Sequence, residues 1–175
     1  MIFIGIGSNL SSKFGNRIKN INLAISMMEN EGINLLKKSN FYETFSQPNK
    51  SDPKFINVVV SIKTQLPPID LMHFLISIEE KLGRKRKKKN DPRTCDLDII
   101  DYNGMVKNYY SDNFELKLPH AKLEYRNFVL YPLMDISPNW SHPKTKKNIK
   151  DLINNIKLNN NEITKLSEND IKQIC

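Results

Sequence analysis

Apolar positions along the chain fall into two periodicities. Residues 1–6 are almost wholly apolar and run into Gly5 and Gly7, which predicts a buried strand stopped by a turn. From residue 16 to residue 28, Ile18, Ile21, Ala24, Ile25 and Met28 recur at three- and four-residue steps, the stripe of an amphipathic helix. Residues 33–45 and 55–64 are rich in Ile, Leu, Phe, Tyr and Val. Turn formers crowd the stretch between them, Ser46-Gln47-Pro48-Asn49-Lys50-Ser51-Asp52-Pro53, so two strands joined by a loop are expected. Pro67-Pro68 opens a second helical stripe of Leu71, Phe74, Leu75, Ile78 and Leu82, with Asp70 in its first turn and Gly83 as its stop. Residues 96–102 read as a further strand, turned by Asn103-Gly104 into a short hairpin partner.

The resulting order, βαββαβ, predicts an α+β fold of the ferredoxin-like kind: an antiparallel sheet with helices packed on it. Beyond it come Pro119-His120, a helix around residues 128–135, Pro138, Trp140 and an Asn/Lys-rich terminal helix. An extra C-terminal hairpin and helices are therefore expected to follow the sandwich. A single domain over residues 1–160 is expected, with residues 161–175 as a tail or helix end.

Composition narrows the class. A chain of 175 residues buries roughly two thirds of its unfolded surface, enough for a true core. With 39% hydrophobic and 26% charged residues it has the balance of a globular protein, and no stretch approaches the ~20 apolar residues of a membrane span. The apolar start lacks a basic flank and a cleavage pattern, and reads as a strand rather than a leader. Two cysteines, Cys95 and Cys175, make neither a disulfide framework nor a metal motif; a cytoplasmic, monomeric protein is expected. The net charge of +8 suits a polyanionic partner, but Lys is abundant throughout, and the run in residues 81–89 is more informative than the total.

Asp96-Leu97-Asp98 is the sharpest local feature. The two-residue period of a strand aims both carboxylates to one side. Their repulsion is relieved by a divalent cation, and magnesium, which takes oxygen ligands and leaves positions for phosphate and water, is the natural one. Immediately before them, residues 83–94 hold Arg84, Arg86, Arg93 and four lysines. A cationic loop beside a metal site is what phosphoryl transfer requires. On a second strand Phe55 and Asn57 share a face, presenting an aromatic plate and an amide together, which suits a flat heteroaromatic ring. Arg126 and Phe128, after Leu118-Pro119-His120, offer a phosphate contact and a second plate.

Taken in order, these segments resemble the 6-hydroxymethyl-7,8-dihydropterin pyrophosphokinase family. The resemblance runs through Ile4-Gly5-Ile6-Gly7-Ser8-Asn9-Leu10, Phe41-Tyr42-Glu43-Thr44, Phe55-Ile56-Asn57, Ile78-Glu79, Gly83-Arg84, Pro92-Arg93-Thr94-Cys95-Asp96-Leu97-Asp98-Ile99, Leu118-Pro119-His120 and residues 126–133. It implies a ferredoxin-like sandwich that moves diphosphate from ATP to the hydroxymethyl group of a reduced pterin, releasing AMP. It makes Asp96 and Asp98 ligands of two magnesium ions, and Arg84 and Arg93 loop arginines closing over the triphosphate. His120 and Arg126 become nucleotide contacts, and Glu79 matches a family acid near the nucleotide. Phe55 and Phe128 would sandwich the pterin, Asn57 would bond its polar edge, and the backbone around Thr44 would complete its recognition. Small molecules are the expected partners, with neither nucleic acid nor membrane.

Three departures stand out: Asn90-Asp91 where a Trp-Gly pair often precedes Pro-Arg-Thr, Ala121 where some members carry an aromatic, and Phe45-Ser46-Gln47-Pro48 where two prolines often follow the threonine. Two rivals share features with this reading. A nucleotidyltransferase pairs Gly-Ser with Asp-x-Asp at short range, whereas Gly7-Ser8 and Asp96 are far apart here. A ferredoxin-like nucleic-acid-binding module would carry K/R-G-F/Y-G/A-F-V-x-F/Y on a strand, and that motif is absent.

Overall fold

The computed structural model describes residues 1–47, 49–84, 91–111, 114–157 and 162–174. The basic run at 85–90, and with it Arg86 and Asn90, lies outside the described residues, as does Pro48.

In chain order the elements are β1 (Ile2–Ser8), α1 (Arg17–Asn30), β2 (Asn34–Lys38), β3 (Tyr42–Thr44), β4 (Phe55–Lys63), α2 (Pro68–Lys81), β5 (Asp96–Tyr102), β6 (Lys107–Tyr110), β7 (Glu115–Leu118), α3 (Asn127–Ile136), α4 (Ile149–Lys157), β8 (Ile163–Lys165) and α5 (Glu168–Ile174). The main sheet is antiparallel, with path β5-β1-β4-β3-β8 and β2 also paired to β4. The fold is thus α+β.

Alternation along the strands sorts side chains onto two faces. Ile2, Ile4 and Ile6 of β1, Ile56, Val58, Val60 and Ile62 of β4, and Leu97 and Ile99 of β5 pack with Ile18, Ile21 and Met28 of α1 and Leu71, Leu75 and Ile78 of α2 in one buried cluster. The opposite face carries Phe3, Val59 and Ile100, which pack against Leu130 and Leu133 of α3 and Leu152 and Ile153 of α4. A bulge between β1 and β5 changes the register from Ile4↔Ile99 to Phe3↔Asp101. The extra residue, Ile100, joins this second cluster while Tyr102 returns to the first.

Helix ends follow their residues. Asn16 caps α1, its Oδ1 accepting the Lys19 N–H at 2.9 Å. Pro68 and Asp70 open α2. Gly83, at φ 86°, turns the chain out of that helix in a left-handed conformation that side chains disfavour, and the next N–H, from Arg84, returns to the Glu79 carbonyl at 3.0 Å.

Three expectations need correction. Gly5 and Gly7 do not stop the first strand but lie inside it, paired to Asp98 and Asp96. The stretch 33–45 is two strands, separated at Ser39, whose hydroxyl accepts the Val59 N–H at 3.0 Å. The turn at Asn103-Gly104 forms, with both residues at positive φ, but it gives β5 no hairpin partner: β6 pairs with β7 in a separate two-stranded sheet. The chain after β7 meets the β5 edge instead, the His120 N–H donating to the Ile100 carbonyl at 2.9 Å. Within the stretch expected as a tail or helix end, β8 pairs with β3, α5 follows it, and Leu166 between them is buried in the first cluster.

Candidate active site

The second face of the sheet is only partly covered by α3 and α4, and the remainder is a cavity of about 710 Å³. Gly5 and Gly7 of β1 are part of its lining, between Asn57 and Phe55 on β4 and Asp98 and Asp96 on β5. A side chain would intrude here: a Cβ on Gly7 would lie 3.1 Å from Asn57 Oδ1 and 3.5 Å from the Phe55 ring. Missing side chains on the central strand therefore open the space that the two neighbouring strands fill with chemistry.

On the β5 side, strand alternation brings Asp96 and Asp98 to the same face as expected. Each is held by cations. Asp96 accepts from Arg93 Nη2 at 2.8 Å and Arg84 Nη1 at 2.5 Å; Asp98 accepts from Arg126 Nη1 at 3.0 Å, with His120 Nε2 at 3.8 Å. Burial pushes the Asp96 carboxyl upward, but the Arg93 and Arg84 guanidiniums outweigh it and hold it below the usual carboxylate range. Burial also acts against the charge on Arg84, and Asp96 and Glu79 overcome it, leaving that guanidinium more firmly protonated than usual. For His120, burial lowers the imidazole below its ordinary value, Asp98 opposes and Arg126 reinforces; the ring is neutral near pH 7.

Glu79, Arg84 and His120 stand behind the cavity lining rather than in it. Glu79 is buried, pairs with Arg84 and accepts the Leu97 N–H at 2.7 Å. It thereby ties the end of α2 to β5 and aims Arg84 at Asp96.

On the β4 side, Phe55, Asn57 and Thr44 all line the cavity. Asn57 Nδ2 donates to Thr44 Oγ1 at 3.1 Å, which fixes the amide so that Oδ1 faces the space above Gly7. Arg126, Asn127, Phe128 and Val129, at the first turn of α3, complete the wall. Every residue assigned to substrate recognition from the sequence is therefore in the lining.

Two features were not legible beforehand. Each aromatic plate carries an arginine: Arg93 lies 5.0 Å from the centre of the Phe55 ring and Arg126 lies 5.4 Å from that of Phe128. These are the same arginines that pair with Asp96 and Asp98. Asn9 is the second feature. Buried at 2% exposure, its Oδ1 accepts the Arg93 N–H at 2.6 Å while its Nδ2 donates to the Pro53 carbonyl at 3.1 Å and the Ser46 hydroxyl at 3.3 Å. One side chain thus joins the Arg93 loop to the 45–54 loop. Its place in the Gly7-Ser8-Asn9 motif was the only signal for it.

Cys95 is fully buried beside Asp96, and burial pushes its thiol far up, so it packs as an inert residue. His142 is buried against Trp140, and His73 meets the Phe114 ring edge-on.

The donor set fits magnesium. Asp96 and Asp98 present carboxylate oxygens toward one space, the ligand type a hard divalent cation takes. Such a site leaves coordination positions for phosphate and water. What the geometry defines is a cavity with an acid-and-arginine end and an aromatic, amide-bearing end. The family described as 7,8-dihydro-6-hydroxymethylpterin-pyrophosphokinase (HPPK) matches residues 3–138, and the chain belongs to that family.

Relatives agree. "2-amino-4-hydroxy-6-hydroxymethyldihydropteridine pyrophosphokinase" of Aquifex aeolicus is 36% identical over 150 residues, covering 86% of this chain and 88% of that one. "Folic acid synthesis protein fol1" of Schizosaccharomyces pombe is 37% identical over 155 residues, 88% of this chain. The chain spans only 20% of that relative's length. Among solved structures, that of wild-type Plasmodium falciparum HPPK-DHPS superimposes with a TM-score of 0.72 at 15% identity, covering 96% of this chain and 47% of that one; it speaks for the fold. No described helix is long and apolar enough to cross a membrane.

Proposed function

We propose that this chain transfers the terminal diphosphate of ATP to the hydroxymethyl group of 6-hydroxymethyl-7,8-dihydropterin, with release of AMP. The observation that carries the reading is the placement of Asp96 and Asp98 on β5 and of Phe55 and Asn57 on β4 at either side of one glycine-lined strand. A nucleotide at one end and a flat ring at the other are then neighbours in a single cavity.

Asp96 and Asp98 would hold two magnesium ions, which supply charge neutralisation and alignment for the triphosphate. Arg93 and Arg126 leave the carboxylates and neutralise phosphate oxygens, and the Arg93 Nε, buried without a hydrogen-bond partner among the described residues, is a ready donor. Arg84, set by Glu79, adds a third guanidinium. Neutral His120 serves as a hydrogen-bonding contact. Phe55 and Phe128 take the two faces of the pterin and Asn57 its polar edge. The hydroxymethyl oxygen attacks the β-phosphorus as the bond from that phosphorus to the α-phosphate oxygen breaks, and its proton is released. The protein's contribution is positioning and electrostatics, since an alcohol held in line in a dry site gains a large effective concentration.

The order β5-β1-β4 with β2 and β3 beyond, and α1 and α2 together on one face, supports reading the core as a ferredoxin-like βαββαβ sandwich. The reading includes a single domain, built around one six-stranded main sheet, acting on small molecules in the cytoplasm as a monomer. The test is to incubate the purified chain with ATP, magnesium and 6-hydroxymethyl-7,8-dihydropterin and to measure AMP. Formation of AMP only when the pterin is present is expected; its absence would defeat the reading.

A further inference from the structure

The cavity has three acids in its lining: Asp96, Asp98 and Glu162. The first two are paired with arginines. Glu162 has neither an ion pair nor a hydrogen-bond partner among the described residues. It comes from the C-terminal stretch, outside the 3–138 span that the family match covers. It is nevertheless anchored: the next residue, Ile163, is paired with Thr44, which is paired in turn with Phe55. The Leu166 N–H donates to the Phe41 carbonyl at 2.9 Å, and Asn16 Nδ2 donates to the Ile174 carbonyl at 2.8 Å, so β8 and α5 are fastened at both ends.

The sheet order decides which end of the cavity Glu162 serves. From β8 to β5 there are four strand spacings of about 4.8 Å each, roughly 19 Å in all. Glu162 is therefore remote from Asp96 and Asp98, beside the Thr44 strand and two spacings, about 10 Å, from the Phe55 strand. At the phosphate end an unpaired carboxylate would repel the polyanion; at the ring end it faces a molecule that presents donors. A pterin carries its 2-amino group and N3–H side by side, a pair of N–H donors that matches two carboxylate oxygens.

We infer that Glu162 is a specificity-determining residue of the ring pocket, its carboxylate accepting hydrogen bonds from the amino and N3–H edge of the pterin. The inference rests on the proposed function, since it needs a pterin in the cavity. Glu162 is exposed in the free protein, so losing its charge leaves the fold untouched, whereas losing a charged acceptor against bound donors is expensive.

The experiment compares the full chain with Glu162→Gln and Glu162→Ala. Steady-state AMP formation is measured with 6-hydroxymethyl-7,8-dihydropterin and with its analogue bearing oxygen in place of the 2-amino group. Both variants are expected to melt at the temperature of the unsubstituted chain. Each should raise the KM for the pterin by about tenfold or more, leave the KM for ATP unchanged, and narrow the preference for the 2-amino ring over the analogue. An unchanged pterin KM and preference, in a chain that makes AMP, would overturn this inference alone. No AMP from the unsubstituted chain would overturn the proposed function and this inference with it.

Discussion

The guanidinium of Arg126 stands 5.4 Å from the centre of the Phe128 ring and 3.0 Å from Asp98 Oδ2, so one group covers an aromatic plate and neutralises an acid together. Arg93 repeats the arrangement with Phe55 and Asp96. Arginine alone suits both tasks, because its planar fork stacks on a ring while its edge donates. Arg126→Ala is expected to lower kcat/KM for AMP formation roughly 100-fold or more, as for loss of a group stabilising transition-state charge. Arg126→Lys should recover only part of it, because an ammonium neither stacks nor forks. Full recovery by lysine would show that charge alone matters there.

Asp98→Asn keeps the shape of the side chain and removes the charge. AMP formation should vanish, with little change in melting temperature, because Asp98 is part-exposed and an asparagine oxygen can still accept from Arg126. Retained turnover would contradict the metal role assigned to that carboxylate.

Gly7→Ala tests the glycine floor. The new methyl would lie 3.1 Å from Asn57 Oδ1, so that amide must give by a few tenths of an ångström, and 3.5 Å from Phe55, an ordinary contact that fills space beside the ring. A higher KM for the pterin with a nearly unchanged KM for ATP is expected, read from initial rates with each substrate varied in turn.

Asn9→Ala removes the joint between two loops. Its three side-chain hydrogen bonds, to Arg93, Pro53 and Ser46, are buried or part-buried, and losing them should cost about 1–3 kcal/mol of stability. Urea unfolding measures this. Activity should fall further than stability, since the orientation of the Arg93 loop is lost with the tether.

His142 should make stability depend on pH. Burial lowers its imidazole below the ordinary 6.5, against the pull of Glu124 and Asp101. Its Nδ1 accepts the N–H groups of Lys144 at 3.2 Å and Thr145 at 3.1 Å, a task for an unprotonated nitrogen. The unfolded chain therefore takes the proton more readily than the folded one. The contribution is complete above pH 6.5, is lost as the pH falls through the folded midpoint, and levels off below it. His120, also lowered, acts in the same direction. An NMR titration of the His142 ring should give a midpoint below 6.5; a midpoint above it would reverse the sign.

Much of this protein is written locally. The stripes of α1 and α2, the shared direction of Asp96 and Asp98, and the pairing of Phe55 with Asn57 on one face all follow from backbone repeats of 3.6 and 2 residues, which any short segment imposes on its own side chains. The sequence also placed basic residues directly before the acids. Neighbourhood in space was decided otherwise. That β1 lies between β4 and β5, with Gly7 opposite Asn57 on one side and Asp96 on the other, depends on burying two apolar faces at once, a condition that no window of the chain contains. The same holds for the arginines seated on Phe55 and Phe128, for Asn9 between its two loops, and for β8, three residues long, which brings Glu162 to the cavity rim. So short a strand carries almost no pattern of its own; it exists because β3 offers it an open edge of hydrogen-bonding groups.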